Sequence, residues 1–178
     1  MKVLIFFLFV FVSTPVVSKG YDVFSIGLYD LEKWINDGTQ SDEAIDYRYE
    51  RRFDNSLIEI GPESYEFFDL KPFLGLEATS DSASYFIVGV YLEDNIGTLF
   101  KGDSSNFIFT PSFGAGYYDN GDGKNLGSDI EFRTTLEVSY QLESKNRIGF
   151  SFGHISNANI GEKNPGVGIL SFSYQVAY

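Results

Sequence analysis

Residues 130–142 read Ile130-Glu-Phe-Arg-Thr-Thr-Leu-Glu-Val-Ser-Tyr-Gln-Leu142 and alternate between apolar and polar side chains. Successive side chains of a β-strand point to opposite faces. One face of this strand is therefore apolar, whereas the other carries Glu131, Arg133 and Glu137. Such a strand fits a soluble sandwich, whose charged face meets water, or a small membrane barrel, whose charged face lines the interior.

Similar alternation recurs along the chain, interrupted by stretches rich in Gly, Asn, Asp and Ser that are typical of turns. The eight predicted strands cover residues 21–29, 42–53, 66–78, 84–92, 106–118, 129–142, 147–156 and 167–178. The composition of 18 Phe, 12 Tyr and 18 Gly in 178 residues favours the membrane barrel. Aromatic rings form the girdles of such barrels at the two membrane surfaces.

Strand parity places six acidic and five basic side chains on the polar face. These are Asp46, Arg48, Glu50, Arg52, Asp69, Lys71, Glu77, Glu131, Arg133, Glu137 and Arg147. Near-balance of charge suits a closed interior, because buried charges must be paired to be tolerated. We therefore expect an all-β fold: an eight-stranded antiparallel transmembrane β-barrel with a filled polar interior.

The first twelve residues contain one lysine, at position 2, and an apolar run: Met1-Lys-Val-Leu-Ile-Phe-Phe-Leu-Phe-Val-Phe-Val12. Small residues follow this run. This pattern predicts a secretory signal peptide over residues 1–18, cleaved after Ser18 or Gly20. The run is shorter than the roughly 18 to 20 apolar residues of a spanning helix. Residues 19–178 are then expected to form a single barrel domain.

Charge and cysteine content exclude several classes of function. The net charge of −12 argues against nucleic acid as a partner, because binding phosphate backbones requires a basic surface. With no cysteine and one histidine, a transition-metal site is not expected. The sequence has no glycine motif that would cradle a phosphate, and we expect no cofactor.

The only histidine, His154, shares a strand face with Ser156. The residues before them on this face, Ile148, Phe150 and Phe152, are apolar and would meet lipid. At positions i and i+2 the two Cα atoms lie about 6.6 Å apart, so the imidazole can reach the hydroxyl. A serine becomes a nucleophile when an adjacent base takes its proton, which predicts acyl transfer on a lipid ester.

A simpler interpretation of both residues also exists. A lone histidine near a strand end is more often a polar residue at the membrane surface than a catalytic base, and Ser156 could simply start a turn. Both replace apolar residues on one lipid-facing row, which favours the catalytic interpretation.

The segment Gly153-His-Ile-Ser-Asn-Ala, followed by Asn164-Pro-Gly166, resembles the PagL family of outer-membrane lipid A 3-O-deacylases. The likeness extends to Thr110-Pro-Ser-Phe-Gly-Ala-Gly-Tyr-Tyr118, to Leu126-Gly-Ser-Asp-Ile-Glu-Phe-Arg133 and to Arg147-Ile-Gly149, and it is weaker before Leu70. It implies an eight-stranded barrel in the outer membrane of a Gram-negative bacterium, with lipid A of lipopolysaccharide as substrate and outer-membrane lipid as its surroundings. The oligomeric state stays open.

By this resemblance His154 corresponds to the base, Ser156 to the nucleophile and Asn157 to a contributor to the oxyanion hole. The acid of the family follows the Asn-Pro-Gly turn after one further residue, where this chain has Gly168. The acid of a triad fixes the imidazole tautomer and stabilises the imidazolium. Glu162, in the loop between the same two strands, is the nearest substitute, and water or a main-chain carbonyl could instead orient His154.

Two further functions stay open. A non-catalytic barrel with a degenerate triad could serve envelope integrity or surface interaction, and Gly168 favours it. A soluble lipid-binding barrel would need its apolar residues inside and its charged residues outside.

Some residues fit the barrel less simply. Pro72 and Pro111 lack the N–H of a central strand, so we expect a bulge or a strand end near each. Arg51 points toward lipid by strict alternation and is expected near a membrane boundary or at a register slip. Residues 30–34 could form a short helix or an aromatic anchor at the membrane surface, and residues 119–124 an ordinary flexible loop.

Overall fold

A computed structural model describes residues 19–36, 44–59, 69–99 and 105–178 of the chain. Its elements in chain order are β1 Gly20–Tyr29, α1 Leu31–Asn36, β2 Ala44–Phe53, β3 Ile58–Glu59, β4 Asp69–Thr79, β5 Ser84–Tyr91, β6 Asp94–Asn95, α2 Ile96–Leu99, β7 Phe107–Asp119, β8 Ile130–Gln141, β9 Arg147–Ser156 and β10 Val167–Ala177. The predicted signal peptide lies outside the described residues, as do the first residues of the second and third predicted strands. In the described part of the chain, no helix is long and apolar enough to span a membrane.

The eight long strands form one closed antiparallel sheet. Each pairs with its neighbours along the chain, and β1 pairs with β10 to close the ring. The eight predicted strands and the antiparallel barrel are therefore confirmed, and the observed strand bounds differ from the predicted ones by at most a few residues. The two-residue strands β3 and β6 extend the sheet beside β4 and β7.

The interior of the barrel holds the charged side chains, as strand parity predicted. Nine of them are buried: Asp46, Arg48, Glu50, Arg52, Glu77, Glu131, Arg133, Glu137 and Arg147. The remaining two, Asp69 and Lys71, are partly exposed because they lie at the start of β4, and Lys71 pairs with Asp54 at 2.7 Å.

Interior arginines and glutamates form a connected network. The guanidinium of Arg52 lies 2.6 Å from Glu137 and 2.9 Å from Glu50, while Arg133 lies 2.6 Å from Glu77 and also bonds Glu50. Each buried carboxylate in this network thus faces a cation. Charges arranged in this way make the interior a filled plug.

The outer face of the barrel is apolar. Side chains that alternate with the buried charges are exposed, including Phe24, Ile26, Phe86, Val88, Phe113, Leu136, Phe150 and Phe172. This arrangement is the reverse of a soluble lipid-binding barrel, which would hold its apolar residues inside.

Each strand proline lies where one of its two ladders ends. Pairing of β4 with β2 stops at Phe73, next to Pro72. Pairing of β7 with β5 stops at Ser112, next to Pro111. A missing N–H is tolerated at these positions because no ladder bond is needed there. Both strands continue through their prolines, so it is one ladder, and not the strand itself, that ends beside each proline.

Arg51 lies near the end of β2 that adjoins the C-terminus. Its guanidinium is 3.4 Å from Asp22 and stacks 4.1 Å from the centre of the Tyr178 ring. Pairing with β1 runs through Arg51 without interruption, so no register slip is needed. An arginine at a strand end can direct its charge away from the apolar band.

An apolar cluster fills the barrel near the end where β1 and β9 finish. It includes Tyr29, Tyr118, Leu126, Ile155 and Ile169. The hydroxyls of Tyr29 and Tyr118 lie 2.8 Å apart within it. This cluster supports from behind the part of β9 that carries His154.

Candidate active site

The outward-facing side chains of β9 are apolar along most of the strand and become polar at its last residues. Phe150 and Phe152 are exposed on the outer face, and His154 continues this row as an exposed side chain. Ser156, at the last position of the strand, lies on the same face and is partly exposed. The alternate residues of β9 are buried, because they point into the barrel. The predicted sharing of one outer face by His154 and Ser156 is thus observed.

Neighbouring strands define what surrounds the histidine. His154 pairs with Thr134 of β8 on one side and with Gly168 of β10 on the other. Ser156 pairs with Phe132 of β8, beyond the last pair of the β9–β10 ladder. The serine therefore lies at the edge where β9 leaves the sheet.

The imidazole of His154 packs against the backbone of Gly166. A Cβ atom at this glycine would lie 2.8 Å from Cε1 and 3.1 Å from Nε2 of the ring. Gly166 also has a φ of 59°, a conformation that glycine adopts without steric cost. Both facts require glycine here, since any side chain would displace the imidazole.

A cleft of about 330 Å³ opens beside the histidine on the outer surface. Its lining comes from β9, from the start of β10 and from the segment that follows β1. The residues are Asp30, Leu31, Glu32, Ile35, Phe152, His154, Pro165, Gly166, Val167 and Gly168. Ser156 does not belong to this lining, although it shares the outer face of β9 with His154.

Strand register explains why α1 reaches this cleft. Tyr29, the last residue of β1, pairs with Ile169 of β10. The next residue of β10 toward the loop is Gly168, which pairs with His154. The chain that continues from Tyr29 into α1 must therefore pass two strand spacings from His154, or roughly 10 Å.

Several bonds fix α1 in this position. The indole N–H of Trp34 donates to the carbonyl of Tyr29 at 3.0 Å, and the N–H of Lys33 donates to the carbonyl of Asp30 at 2.9 Å. Asp30 is buried and lies 2.8 Å from the ammonium of Lys124. Of the two interpretations of residues 30–34, the short helix is the one observed.

Asn157 points in the opposite direction from His154 and Ser156. It is buried, and its side-chain amide donates to the carbonyls of Leu126 at 2.8 Å and Lys163 at 2.7 Å. Its side-chain oxygen accepts the N–H of Asn159, and its own N–H donates to the side chain of Asn164. Asn157 thus fixes the loop between β9 and β10 to the loop between β7 and β8.

Glu162 is exposed and lies in a different cleft, of about 400 Å³. Its neighbours there belong mainly to the loop between β7 and β8, including Asn120, Leu126 and Asp129. The backbone N–H of Glu162 donates to the carbonyl of Gly127 at 3.3 Å. The structure does not bring this side chain into the cleft of His154.

Asp30 and Glu32 are the carboxylates that do share the cleft with His154, and the sequence interpretation missed them as site residues. From the sequence, residues 30–34 were predicted only as a short helix or an aromatic anchor. The pairing of β1 with β10, which joins the two ends of the chain, was needed to find them. Among the described residues, no cluster of His, Cys, Asp and Glu is suited to hold a metal ion.

Fold and site together define a closed eight-stranded β-barrel with a histidine and a serine on its outer surface, close to one end. The family model described as "Lipid A 3-O-deacylase (PagL)" matches residues 75–177, more than half of the chain. The chain belongs to the PagL family. The matched residues include His154, Ser156 and Asn157 but not α1.

Individual relatives are similar in part. The lipid A deacylase PagL of Bordetella bronchiseptica is 39% identical over 51 residues, which cover 29% of this chain and 29% of that protein. A crystal structure of the outer membrane enzyme PagL has a TM-score of 0.64 at 14% identity, over 88% of this chain and 98% of the other. This second likeness shows the fold.

Proposed function

We propose that this chain is a cofactor-independent serine esterase that removes the 3-linked acyl chain of lipid A in the outer membrane of a Gram-negative bacterium. Ser156 is the nucleophile and His154 the general base. The observation that carries the proposal is the position of both side chains on the outer face of β9, directly beyond a row of exposed phenylalanines. An ester embedded in lipid can reach them there without entering the barrel.

Two further facts support this activity. The chain belongs to a family described as lipid A 3-O-deacylases, and the filled interior leaves chemistry to the outer surface. The charged interior is an unsuitable place for an acyl chain, because each carboxylate in its network already faces a guanidinium. An apolar acyl chain fits the phenylalanine row of β9 instead.

The reaction proceeds in two stages in this proposal. His154 takes the proton of the Ser156 hydroxyl, and Oγ attacks the carbonyl carbon of the 3-linked ester. The tetrahedral intermediate then breaks its bond to the 3-oxygen of lipid A, and the imidazolium gives that oxygen its proton. Water activated by His154 hydrolyses the acyl-serine, which releases the fatty acid and restores the serine.

The negative oxygen of the tetrahedral intermediate needs hydrogen-bond donors. We assign these to Asn157 and to the glycine-containing loop that follows it. Because the side-chain amide of Asn157 donates to Leu126 and Lys163 in the structure, its direct contribution requires this loop to rearrange when the ester binds. Until then, Asn157 orients the loop at the edge of Ser156.

A second candidate function is a non-catalytic barrel with a structural or surface-interaction role. The observation that favours it is Gly168, which pairs with His154 at the position where the family carries its acid. Without a carboxylate there, β10 offers the imidazole no partner.

Mass spectrometry of lipid A separates the two functions. The chain is produced in the outer membrane of a Gram-negative host whose lipid A retains its 3-linked acyl chains. The proposed esterase removes one 3-linked hydroxyacyl chain, and Ser156→Ala abolishes this change.

Ser144→Ala is the matched control, because Ser144 is an exposed serine in the turn between β8 and β9 at the other end of the barrel. It should deacylate lipid A as the unmodified chain does. An unchanged lipid A profile, with insertion verified by heat-modifiable migration, would contradict the esterase and favour the non-catalytic barrel.

A further inference from the structure

We propose that Glu32 of α1 replaces the missing acid of the family and orients His154. This inference rests on the proposed esterase, and it assigns Glu32 a role as a positioning residue that acts through the imidazole. The juxtaposition that carries it is a single cleft lined by both Glu32 and His154.

The barrel brings these residues together by closing on itself. Because Tyr29 pairs with Ile169, and Gly168 pairs with His154, the residues after Tyr29 lie on the far side of Gly168 from the histidine. Two strand spacings, roughly 10 Å between backbones, separate α1 from β9. The combined length of a glutamate and a histidine side chain spans that separation.

Gly168 makes room for this arrangement. A Cβ atom at this position would contact the Phe152 ring at 3.4 Å and 3.5 Å and the Cβ of Leu31 at 3.9 Å. The first residue of α1 thus packs directly over the glycine. The space that a glutamate of β10 would enter is bordered by the helix that supplies Glu32.

Glu32 suits this role better than the other carboxylate of the cleft. Asp30 is buried and already paired with Lys124 at 2.8 Å, so its charge is compensated. Glu32 is exposed, and among the described residues its carboxylate forms no ion pair. Asp30 and Glu32 are the charged groups that line the cleft together with His154.

The proposed interaction is a hydrogen bond from one imidazole nitrogen to the Glu32 carboxylate. The other nitrogen is then left to accept the Ser156 proton, and the carboxylate stays ionised throughout. The edge of the ring that carries Cε1 and Nε2 lies against Gly166, which also lines the cleft. Glu32 lines the same cleft from α1, which lies on the β10 side of His154.

The first test measures the rate at which substituted barrels deacylate lipid A. Glu32→Gln should lower the deacylation rate by about 10- to 100-fold, as expected for a lost hydrogen bond to a charged group. Adding Gly168→Glu to Glu32→Gln should restore most of the rate, since position 168 lies directly opposite His154. The matched control is Glu143→Gln, an exposed glutamate in the turn at the other end of the barrel.

A second measurement does not depend on turnover. His154 is the only histidine, so histidine-specific ¹⁵N labelling of the purified barrel in lipid nanodiscs reports a single imidazole. A carboxylate that accepts a hydrogen bond from one imidazole nitrogen fixes the tautomer of the ring. The two imidazole ¹⁵N chemical shifts should therefore report one tautomer in the unmodified barrel and a mixture of both in Glu32→Gln, with no change in Glu143→Gln.

The two measurements distinguish failure of this inference from failure of the esterase. An active barrel whose rate and imidazole ¹⁵N shifts are unaffected by Glu32→Gln would overturn the role of Glu32. The same changes appearing in Glu162→Gln instead would transfer that role to Glu162. A barrel that leaves lipid A intact would contradict the esterase, while the imidazole ¹⁵N shifts would still decide whether Glu32 contacts His154.

Discussion

The interior of the barrel and the outer end of β9 both place polar side chains within an apolar structure, and they differ in how those side chains are satisfied. Inside, Arg52 and Arg133 each bond two carboxylates. Outside, the side chains of His154 and Ser156 form no hydrogen bond with any described residue and face the region where lipid lies.

This difference separates polar groups that hold the fold from polar groups available to a substrate. A buried charge that lacks a partner costs several kcal/mol, so the interior network is explained by stability alone. The histidine and serine gain nothing comparable from their surroundings. Reactive groups are expected where polar side chains interrupt an apolar surface and stay unpaired.

The largest expected effect comes from the outer surface. His154→Ala should lower the deacylation rate by about 10⁴-fold, because the serine loses its general base. Heat-modifiable migration should be unchanged, since the exposed imidazole forms no side-chain hydrogen bond with the described residues. Val88→Ala, an outer-face residue of β5 that is 54% exposed and does not line the cleft, is the control and should stay active. Equal losses in both variants would mean that the rate depends on the apolar outer surface in general and not on the imidazole.

Substitutions in the interior network should lower the free energy of unfolding and leave the deacylation rate unchanged. Arg133→Met leaves Glu77 without its 2.6 Å partner, and breaking such a buried pair costs about 3 to 5 kcal/mol. Urea unfolding in lipid vesicles should show the lower free energy of unfolding, while the rate per folded molecule stays the same. If the unfolding midpoint does not move, the network does not stabilise the barrel.

Gly166 connects the backbone to the imidazole, and its substitution should have an intermediate effect. Gly166→Ala introduces a Cβ about 3 Å from the ring at a position with positive φ. A displacement of about 1 Å can lower a rate roughly 10²-fold. Deacylation kinetics measure this loss.

Gly153→Ala is the control for the preceding substitution, because a Cβ there meets its nearest atom at an ordinary 3.4 Å. It should retain the rate within a few-fold. If both glycine variants lowered the deacylation rate equally, the effect of Gly166→Ala could not be attributed to displacement of the imidazole.

The smallest effect is expected at the opposite end of the barrel. Arg51→Ala removes a partly exposed contact with Asp22 and the Tyr178 ring, which should lower the free energy of unfolding by about 0.5 to 1 kcal/mol. The same urea titration measures it. If Arg51→Ala lowered the free energy of unfolding as much as Arg133→Met, the solvent exposure of an arginine would not determine how much it stabilises the barrel.

Strand parity was sufficient to predict most of the fold. In residues 130–142 each acidic or basic side chain alternates with an apolar one, and two-residue periodicity alone assigns the two faces. The same counting placed His154 and Ser156 together, because both lie on one strand. The relative positions of two residues in a single strand can be predicted without knowing the rest of the barrel.

Strand parity could not predict contacts between segments that are distant in sequence. Glu162 is close to His154 in sequence, but the loop folds toward Gly127 and carries the glutamate into another cleft. Glu32 is remote in sequence and becomes a neighbour only through the register of β1 with β10. Asn157 was predicted from its motif, whereas its bonds to Leu126 and Lys163 depend on loop conformation.

The seam between β1 and β10 has a consequence for biogenesis. The cleft draws α1 from the start of the barrel and β9 and β10 from its end, so it is complete only in a chain whose first and last strands have paired. An unclosed chain already carries the histidine and the serine but holds no carboxylate from α1 beside them. If Glu32 orients His154 as proposed, the full deacylation rate depends on completed assembly of the barrel.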